Sequence, residues 1–397
     1  MSGGAGGGST WIRVLSLGLV LLAGAFGMER AHLEQPVALA ALHAFGGLMV
    51  IFGSCEAMIL CVEGIAARMR WNPFVAGTMA GMAGNVPEIV MLAFVLAAKP
   101  RVGFIVVAMT LHVGAMAFGL YSGFLPRDAS GQARLPDPLV KLSTDQFAGA
   151  AGVYFSTGLL MLLLRGFAAG DHRGEGLGAG DLYAIGGLLL MVQVVGVVEL
   201  IKRFGSESQS GDVTESAAAL ESAQEEPALP PTWGRIAGFG ALGIATSVLG
   251  GHAVGDFADV LVSALSERGH SEMVGALVLS VFACAGGYVM IASAHVRGMH
   301  DLALANVSGA ITQNAVMVMP IALILLGVFG QTGVIPRMPQ GAVLPIDLET
   351  TSVVLLMFPP LLILWKAVKD DGRVSWVETS AMVAVFGLTL YFLAEHG

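Results

Sequence analysis

A helix breaker followed at once by a carboxylate lies within a long apolar stretch, at Gly84-Asn85-Val86-Pro87-Glu88. Roughly ten apolar or small residues flank this element on each side, which places Glu88 deep in a bilayer. A carboxylate at that depth is unfavourable by several kcal/mol unless it faces a cavity, a partner or an ion. Pro87 lacks a backbone N–H, so a carbonyl one turn earlier is free for a polar group or a cation. An interrupted helix with a carboxylate at its break is typical of cation sites at mid-membrane.

The composition indicates an integral membrane protein with little material outside the bilayer. Of its 397 residues, 55% are hydrophobic and 12% are charged, and the mean hydropathy is +0.76. A soluble domain carries roughly 25% charged residues. The net charge of −9 and the lack of a basic cluster argue against a nucleic-acid partner. We expect a multi-pass protein of the cell membrane (a bacterial inner membrane), with the lipid bilayer and small inorganic cations as partners and no resident cofactor; its oligomeric state stays open.

Ten apolar runs are long enough to cross a bilayer, which needs about 20 apolar residues per span. They predict an all-α polytopic membrane protein. A shorter eleventh run, at residues 11–28, suits either a cleaved secretory signal or a retained helix. The ten core spans fall approximately at 37–67, 73–98, 102–124, 146–166, 182–201, 234–264, 273–297, 301–328, 349–367 and 376–394.

The order of the spans predicts an internal duplication. A stretch rich in Ser, Glu, Ala and Pro follows the fifth span, and the positive-inside rule makes it a cytoplasmic, disordered linker. Five spans on each side of this linker enter the membrane in opposite orientations, which predicts two inverted five-helix repeats. The predicted organisation is an N-terminal segment at 1–36, a first repeat at 37–203, the linker at 204–232 and a second repeat at 233–397.

A second breaker lies in the other half at the position that matches Pro87. Gly286-Gly287 follows Pro87-Glu88 by 199 residues, and each pair lies within the second span of its half. Proline and paired glycines both interrupt helices, so the matched position predicts a second broken helix. The alternative is that these glycines only let membrane helices pack closely.

Two sets of residues resemble motifs of the sodium/calcium exchanger membrane region family, part of the cation/calcium antiporter superfamily. Each of the family's two inverted repeats carries a Gly-Thr/Ser-Ser-x-Pro-Glu/Asp element, followed in the next helix by a Gly-Asn-x-x-Gly-Ser-Asn element. Residues 83–88 are similar to the first element and keep its Pro-Glu pair. Residues 305–310 are similar to the second, and Asn314 falls on its terminal Asn/Asp position. The resemblance covers residues 37–397 and implies a cation antiporter.

The chain departs from this family in the residues that would bind the ion. In the family, two carboxylates with amide and carbonyl oxygens form the central cluster that Ca²⁺ and Na⁺ occupy in turn. Here the second acidic element falls on residues 283–287 and has no carboxylate, while residues 107–115 offer Thr110 and His112 in place of the first repeat's amides. The cation-binding residues that the resemblance implies are Glu88 and Asn314, as ligands of the metal ion, with Gly84, Asn85, Asn306 and His112 around them.

Several of these polar side chains have a structural alternative. His112 can exchange a proton near neutral pH and compete with a cation, or it can bond as a neutral imidazole to a carbonyl between helices. Asn306 and Gln313 can supply oxygens to an ion, or they can hold the bundle through interhelical hydrogen bonds. Polar residues of the first and sixth spans are expected to have a structural or access-path role, namely Glu56, Glu63, His252 and Asp256.

The charge of the site restricts its ion. Ca²⁺ takes six to eight oxygen ligands and, when buried, usually needs more than one negative charge, whereas Glu88 alone balances a monovalent cation or a proton. We predict a secondary antiporter with Ca²⁺, Na⁺, K⁺ and H⁺ as candidate substrates, of which Ca²⁺ fits the charge worst. The alternative is an exchanger-fold protein with a degenerate ion site that acts as a sensor or as a partner in a complex. No metalloprotease or phosphate-binding motif is present, and we do not expect an enzyme.

Overall fold

A computed structural model describes most of the chain. The described residues are 10–32, 35–71, 73–125, 127–129, 131–135, 137–167, 176–204, 231–269, 271–284, 288, 291–292, 295, 300–338, 341–370 and 372–396. Most of the predicted linker, the glycine pair Gly286-Gly287 and the side chain of Asn306 lie outside the described residues.

Within these ranges the chain is almost entirely helical, as predicted. Nine described helices are long and apolar enough to cross a membrane, and two shorter apolar helices lie at Glu272–Ala283 and Trp376–Phe392. Together they account for the ten predicted core spans and the early eleventh run. The helices are α1 Thr10–Arg30, α2 Pro36–Met69, α3 Pro73–Gly84, α4 Val86–Ala98, α5 Pro100–Gly123, α6 Asp137–Phe167, α7 Ala179–Phe204, α8 Trp233–Glu267, α9 Glu272–Ala283, α10 His300–Gln313, α11 Met319–Thr332, α12 Leu348–Leu355, α13 Phe358–Asp370 and α14 Trp376–His396, with a π-helical segment at Asn314–Val318.

The helices group into two compact units. Unit 1 comprises residues 1–98 and 199–264, and unit 2 comprises residues 99–198 and 265–397. Each unit takes helices from both predicted repeats, so the units do not follow the repeat boundaries. Those boundaries stay a prediction.

In unit 1, the two longest helices, α2 and α8, cross at a pair of glycines. A Cβ atom added to Gly47 would lie 3.1 Å from the carbonyl oxygen of Gly250, and one added to Gly250 would lie 3.0 Å from that of Gly47. The hydroxyls of Ser54 and Thr246 form a 2.7 Å hydrogen bond between the same two helices. Close backbone approach and small polar residues are how membrane helices associate when lipid removes the hydrophobic driving force.

The predicted N-terminal helix is present as α1 and packs along α2. Trp11 and Leu15 of α1 are buried in an apolar cluster with Val50 and Ala57 of α2. The structure thus supplies the helix, while the choice between a cleaved signal and a retained span stays a prediction.

Two short β ladders in unit 2 follow the pattern that inverted repeats produce. The strand β1 (Ala133–Arg134), before the fourth span, pairs antiparallel with β4 (Arg373–Val374), before the tenth span. The strand β2 (Gly176–Gly178), before the fifth span, pairs antiparallel with β3 (Ala342–Pro345), before the ninth. In two inverted repeats, the fourth span corresponds to the ninth and the fifth to the tenth. Under this correspondence β1 matches β3 and β2 matches β4, so one ladder maps onto the other. The fold is therefore a polytopic bundle built from two inverted repeats.

The centre of unit 2 is α5. Every residue from Val102 to Val113 in this helix is buried, which requires neighbouring helices on all of its sides. Thr110 and His112 lie within this buried stretch, and their polar groups must find partners inside the protein.

Candidate functional site

The helix that carries Glu88 is interrupted just before it. The helix α3 ends at Gly84 and α4 begins at Val86, with Asn85 in a turn between them. Pro87 in the first turn of α4 has no N–H for the carbonyl four residues earlier, that of Ala83. Gly84 and Asn85 are half-buried at this break. The interruption leaves backbone carbonyls without helical donors beside Glu88, the carboxylate in the first turn of α4.

Glu88 itself is half-buried within a membrane span. Among the described residues, none forms a hydrogen bond or an ion pair with its carboxylate. Cys55 of α2 lies close enough for the charges of both Glu56 and Glu88 to act on its thiol. The charge of Glu56 also acts on the carboxyl group of Glu63, two turns further along α2. Unit 1 thus places carboxylates within the spans without a described cation beside Glu88, an arrangement that defines a candidate functional site.

The polar centre of unit 2 joins Thr110 to Asn314. The Thr110 hydroxyl donates its one hydrogen to the carbonyl oxygen of Val107 at 2.7 Å. Its oxygen therefore only accepts, and Asn314 donates to it through Nδ2 in a short hydrogen bond. This donor assignment fixes the amide of Asn314, with its nitrogen toward Thr110 and its oxygen on the other side.

The remaining oxygen of that amide has no described partner. Asn314 is only 7% exposed, and its Oδ1 lies buried without a hydrogen bond within the part of the chain that the structure describes. A buried acceptor left unpaired typically costs about 1–3 kcal/mol. Amide oxygens are also among the hard ligands that alkali and alkaline-earth cations prefer. Asn314 therefore presents an oriented, neutral oxygen to the interior.

The backbone that carries Asn314 is unusual as well. Residues Asn314–Val318 form a π-helical segment, in which the N–H of Met319 donates to the carbonyl of Asn314, five residues earlier. Single π turns inside α-helices occur frequently at functional sites. Beside it, the hydroxyl of Tyr154 on α6 donates to the carbonyl oxygen of Ala315 at 2.6 Å. The sequence did not point to Tyr154. Pro320 indicates a disturbed helix, but nothing in the sequence identifies the side chain that donates to the freed carbonyl.

Two further polar side chains lie on or beside α5. His112 is 1% exposed, and its Nε2–H donates to the carbonyl oxygen of Val353 on α12 at 3.4 Å. This contact holds the imidazole between α5 and α12. Cys284, just after α9, lies with its Sγ 3.8 Å from the carbonyl oxygen of Thr110. The stretch that matches the family's second acidic element thus reaches Thr110 with a thiol.

An ion-pair cluster in unit 2 was also not predicted. Arg101 at the start of α5 pairs with Asp347 at 2.8 Å and, in a shorter contact, with Glu349. Asp347 caps α12 through a capping box with Thr350. These two carboxylates therefore share the one positive charge of Arg101, and we expect them to stabilise the fold. Among the described residues, no three His, Cys, Asp or Glu side chains converge in a way that would hold a metal ion.

The predicted site residues fall in two groups. The structure places Gly84, Asn85, Pro87 and Glu88 together at the helix interruption of unit 1. It brings Asn314 into contact with Thr110 in unit 2, whereas His112, two residues further along the same helix, bonds to α12.

Comparison with known proteins points to one family. The family model described as sodium/calcium exchanger protein matches residues 236–394. No curated protein sequence gives a significant match.

Solved structures extend the likeness to the whole fold. The H⁺/Ca²⁺ exchanger CAX superposes with a TM-score of 0.64 at 12% identity, covering 97% of this chain and 89% of that one. The Ca²⁺/H⁺ antiporter YfkE gives 0.59 at 12% identity, covering 97% and 98%. The sodium-calcium exchanger NCX_Mj gives 0.50 at 14% identity, covering 90% and 99%. The chain has the fold of these exchangers along nearly its whole length, and residues 236–394 match the sodium/calcium exchanger family model.

Proposed function

We propose that the protein is a secondary cation antiporter in which Glu88 supplies negative charge to the transported cation and the amide oxygen of Asn314 supplies a neutral ligand. The observation that carries this proposal is the Glu88 carboxylate, which lies at a helix interruption without a hydrogen-bond or ion-pair partner among the described residues. An acid kept unpaired at that depth is unfavourable unless an ion or a proton visits it. CAX and YfkE exchange Ca²⁺ and H⁺, and NCX_Mj exchanges sodium and calcium, which supports antiport here.

The charge of these residues favours a monovalent substrate. Asn314, Thr110 and Cys284 add oxygen and sulfur atoms but no carboxylate, so Glu88 alone would face a buried ion. One carboxylate balances Na⁺, K⁺ or H⁺, whereas Ca²⁺ would leave a net positive charge in a low-dielectric surrounding. Gly84, Asn85 and Asn306 are further proposed sources of oxygen. The contact of His112 with a carbonyl makes that residue the weakest of the proposed ligands.

Ion flux in reconstituted vesicles tests this function. Gradients of Ca²⁺, Na⁺, K⁺ and H⁺ are applied one at a time to the parent protein and to Glu88→Gln. We expect the parent to move a monovalent cation or protons, and Glu88→Gln to fall to the level of empty vesicles because the amide carries no charge. Glu63→Gln is the matched control, since it removes an exposed carboxylate from the same unit and should retain most of the flux. Transport by Glu88→Gln at the parent rate would contradict the assignment.

The missing second carboxylate favours one other candidate, a protein of the same fold that does not transport. Positions 286 and 287 are glycines where the family carries a proline and an acid. A thermal-shift series across Na⁺, K⁺, Ca²⁺ and Mn²⁺ separates the two functions. A cation that stabilises the parent but not Glu88→Gln supports transport, and no stabilisation by any ion together with no flux supports the alternative.

A further inference from the structure

The π-helical segment leaves one buried carbonyl without a backbone donor. In an α-helix, the N–H of Met319 would donate to the carbonyl of Ala315, but here it donates to that of Asn314. In continued π geometry the next donor for Ala315 would be residue 320, five positions later, and Pro320 has no N–H. Ala315 is 1% exposed, so water does not replace the missing donor from the surface.

A single side chain fills this gap. Tyr154 is 1% exposed, and its hydroxyl donates to the carbonyl oxygen of Ala315 at 2.6 Å. Its ring borders a small cavity lined mostly by apolar side chains, among them Phe104, Met161 and Leu323. A water molecule in place of the hydroxyl would find few polar partners there. Tyr154 is therefore the donor that stabilises the π geometry at this position.

We propose that Tyr154 is a positioning residue of the ion site, which holds the π-helical register and thereby keeps the Asn314 amide on Thr110. This inference rests on the proposed function of Asn314. Without the hydroxyl, the Ala315 carbonyl gains a partner if the segment returns to α-helical geometry, with Met319 as the donor. That change removes one extra residue from the turn and rotates the residues before it by about 100° relative to α11.

Such a rotation carries Asn314 away from Thr110. The amide would lose the acceptor of its nitrogen and the fixed direction of its oxygen, although both residues remain in the chain. A hydroxyl that only stabilised the fold would change the amount of folded protein. A hydroxyl that positions Asn314 changes the cation concentration needed for half-maximal transport.

The experiment is Tyr154→Phe in full-length protein reconstituted in vesicles, with flux measured against the concentration of the cation that the parent transports. We expect half-saturation to rise about tenfold, the effect of one lost hydrogen bond on a ligand's orientation, with a smaller change in the maximal rate. Hydrogen exchange should rise in peptides covering residues 310–320. Tyr183→Phe is the matched control, because it removes a tyrosine hydroxyl that bonds to Gln331 at the far end of α11.

A second substitution provides a rescue. Pro320→Ala restores an N–H that can donate to Ala315 in π geometry, so Tyr154→Phe should have a smaller effect on half-saturation in that background than in the parent. Equal half-saturation of Tyr154→Phe and the parent would overturn the inference, as would identical effects with and without Pro320. If the parent itself neither binds nor moves a cation, the proposed function fails instead, and altered exchange at 310–320 still reports on the register.

Discussion

Two carboxylates in the helices of unit 2 have cationic partners, whereas two in the helices of unit 1 have no described partner. In unit 2, Glu349 pairs with Arg101, and Glu378 pairs with Lys366 at 3.5 Å. In unit 1, Glu56 and Glu88 have no hydrogen-bond or ion-pair partner within the described residues. In unit 2, the amide oxygen of Asn314 is a buried neutral acceptor that has no partner among the described residues.

Under the proposed function, this difference distinguishes carboxylates that stabilise the fold from one that binds the ion. A buried carboxylate with a fixed arginine partner is already neutralised and cannot attract a mobile ion. A carboxylate without a partner keeps its charge available, at a cost to stability that an ion or a proton offsets. Under the proposed function, the carboxylate of Glu88 supplies the charge and the amide of Asn314 supplies a neutral oxygen.

Placing a carboxylate at position 314 of unit 2 should produce the largest effect, a change in ion selectivity. Asn314→Asp adds a second carboxylate at the position where the family carries Asn or Asp. At 4 Å and an effective dielectric constant of 20, one added charge attracts a divalent cation more than a monovalent one by about 4 kcal/mol. We therefore expect preference for Ca²⁺ over Na⁺ or K⁺ to increase by at least about 100-fold, measured by competition in flux or in thermal shift.

Asn314→Leu is the control for this change, since it removes the oxygen without adding charge and should weaken all cations. If Asn314→Asp left the selectivity unchanged, Asn314 would not face the ion, and the division of roles between the two units would be wrong.

Removing the arginine partner should have the next largest effect, on stability. Arg101→Ala leaves two carboxylates of unit 2 without their cation. Breaking a buried pair costs 3–5 kcal/mol, but Arg101 is 33% exposed, so we expect about 2 kcal/mol after solvent screening. Unfolding in detergent measures the loss. Glu88→Gln should show no loss or a gain, because it neutralises a carboxylate that has no described partner.

Lys366→Ala provides the matched control, because its pair with Glu378 is 61% exposed at the lysine and should contribute less than about 1 kcal/mol. Equal destabilisation by Arg101→Ala and Glu88→Gln would show that the carboxylates of both units are structural.

Local features of the molecule were predictable from sequence. Hydropathy runs predicted the spans because a helix of about 20 apolar residues is needed at each crossing. The interruption falls at Asn85, where the proline signal places it. His252 and Asp256, four residues apart on α8, lie 3.7 Å from each other, as their spacing along one helix allows. Motif resemblance selected Asn314 and drew attention to Thr110, and the structure brings them into contact.

Partners that are distant in sequence were not predictable. Tyr154 lies 161 residues before Ala315, and Arg101 lies 248 residues before Glu349. No periodicity or motif links such positions, because the contact is created by the packing of helices from different repeats. The π-helical segment belongs to the same class, since its extra residue is stable only with a donor from another helix. The orientation of Asn314 depends on that packing and could not be predicted from the sequence.

The smallest expected effect concerns how unit 1 holds its helices. Polar contacts join helices at the centre of unit 2, whereas α2 and α8 of unit 1 meet at the glycine crossing, with one hydrogen bond from Ser54 to Thr246 beside it. Gly47→Ala would place a Cβ atom 2.9 Å from Val254 Cγ2 and 3.1 Å from the carbonyl oxygen of Gly250, so the backbones must separate. We expect a loss of about 1 kcal/mol in unfolding experiments, at the low end for overpacking.

Gly24→Ala is the matched control for this prediction, because a Cβ atom there would meet nothing within 4 Å. It should be neutral or slightly stabilising, since alanine is the better helix former. A Gly47→Ala variant as stable as Gly24→Ala would mean that α2 and α8 do not depend on close approach. The position of α2 against α8, and with it that of the carboxylate of Glu56, would then not depend on the glycine crossing.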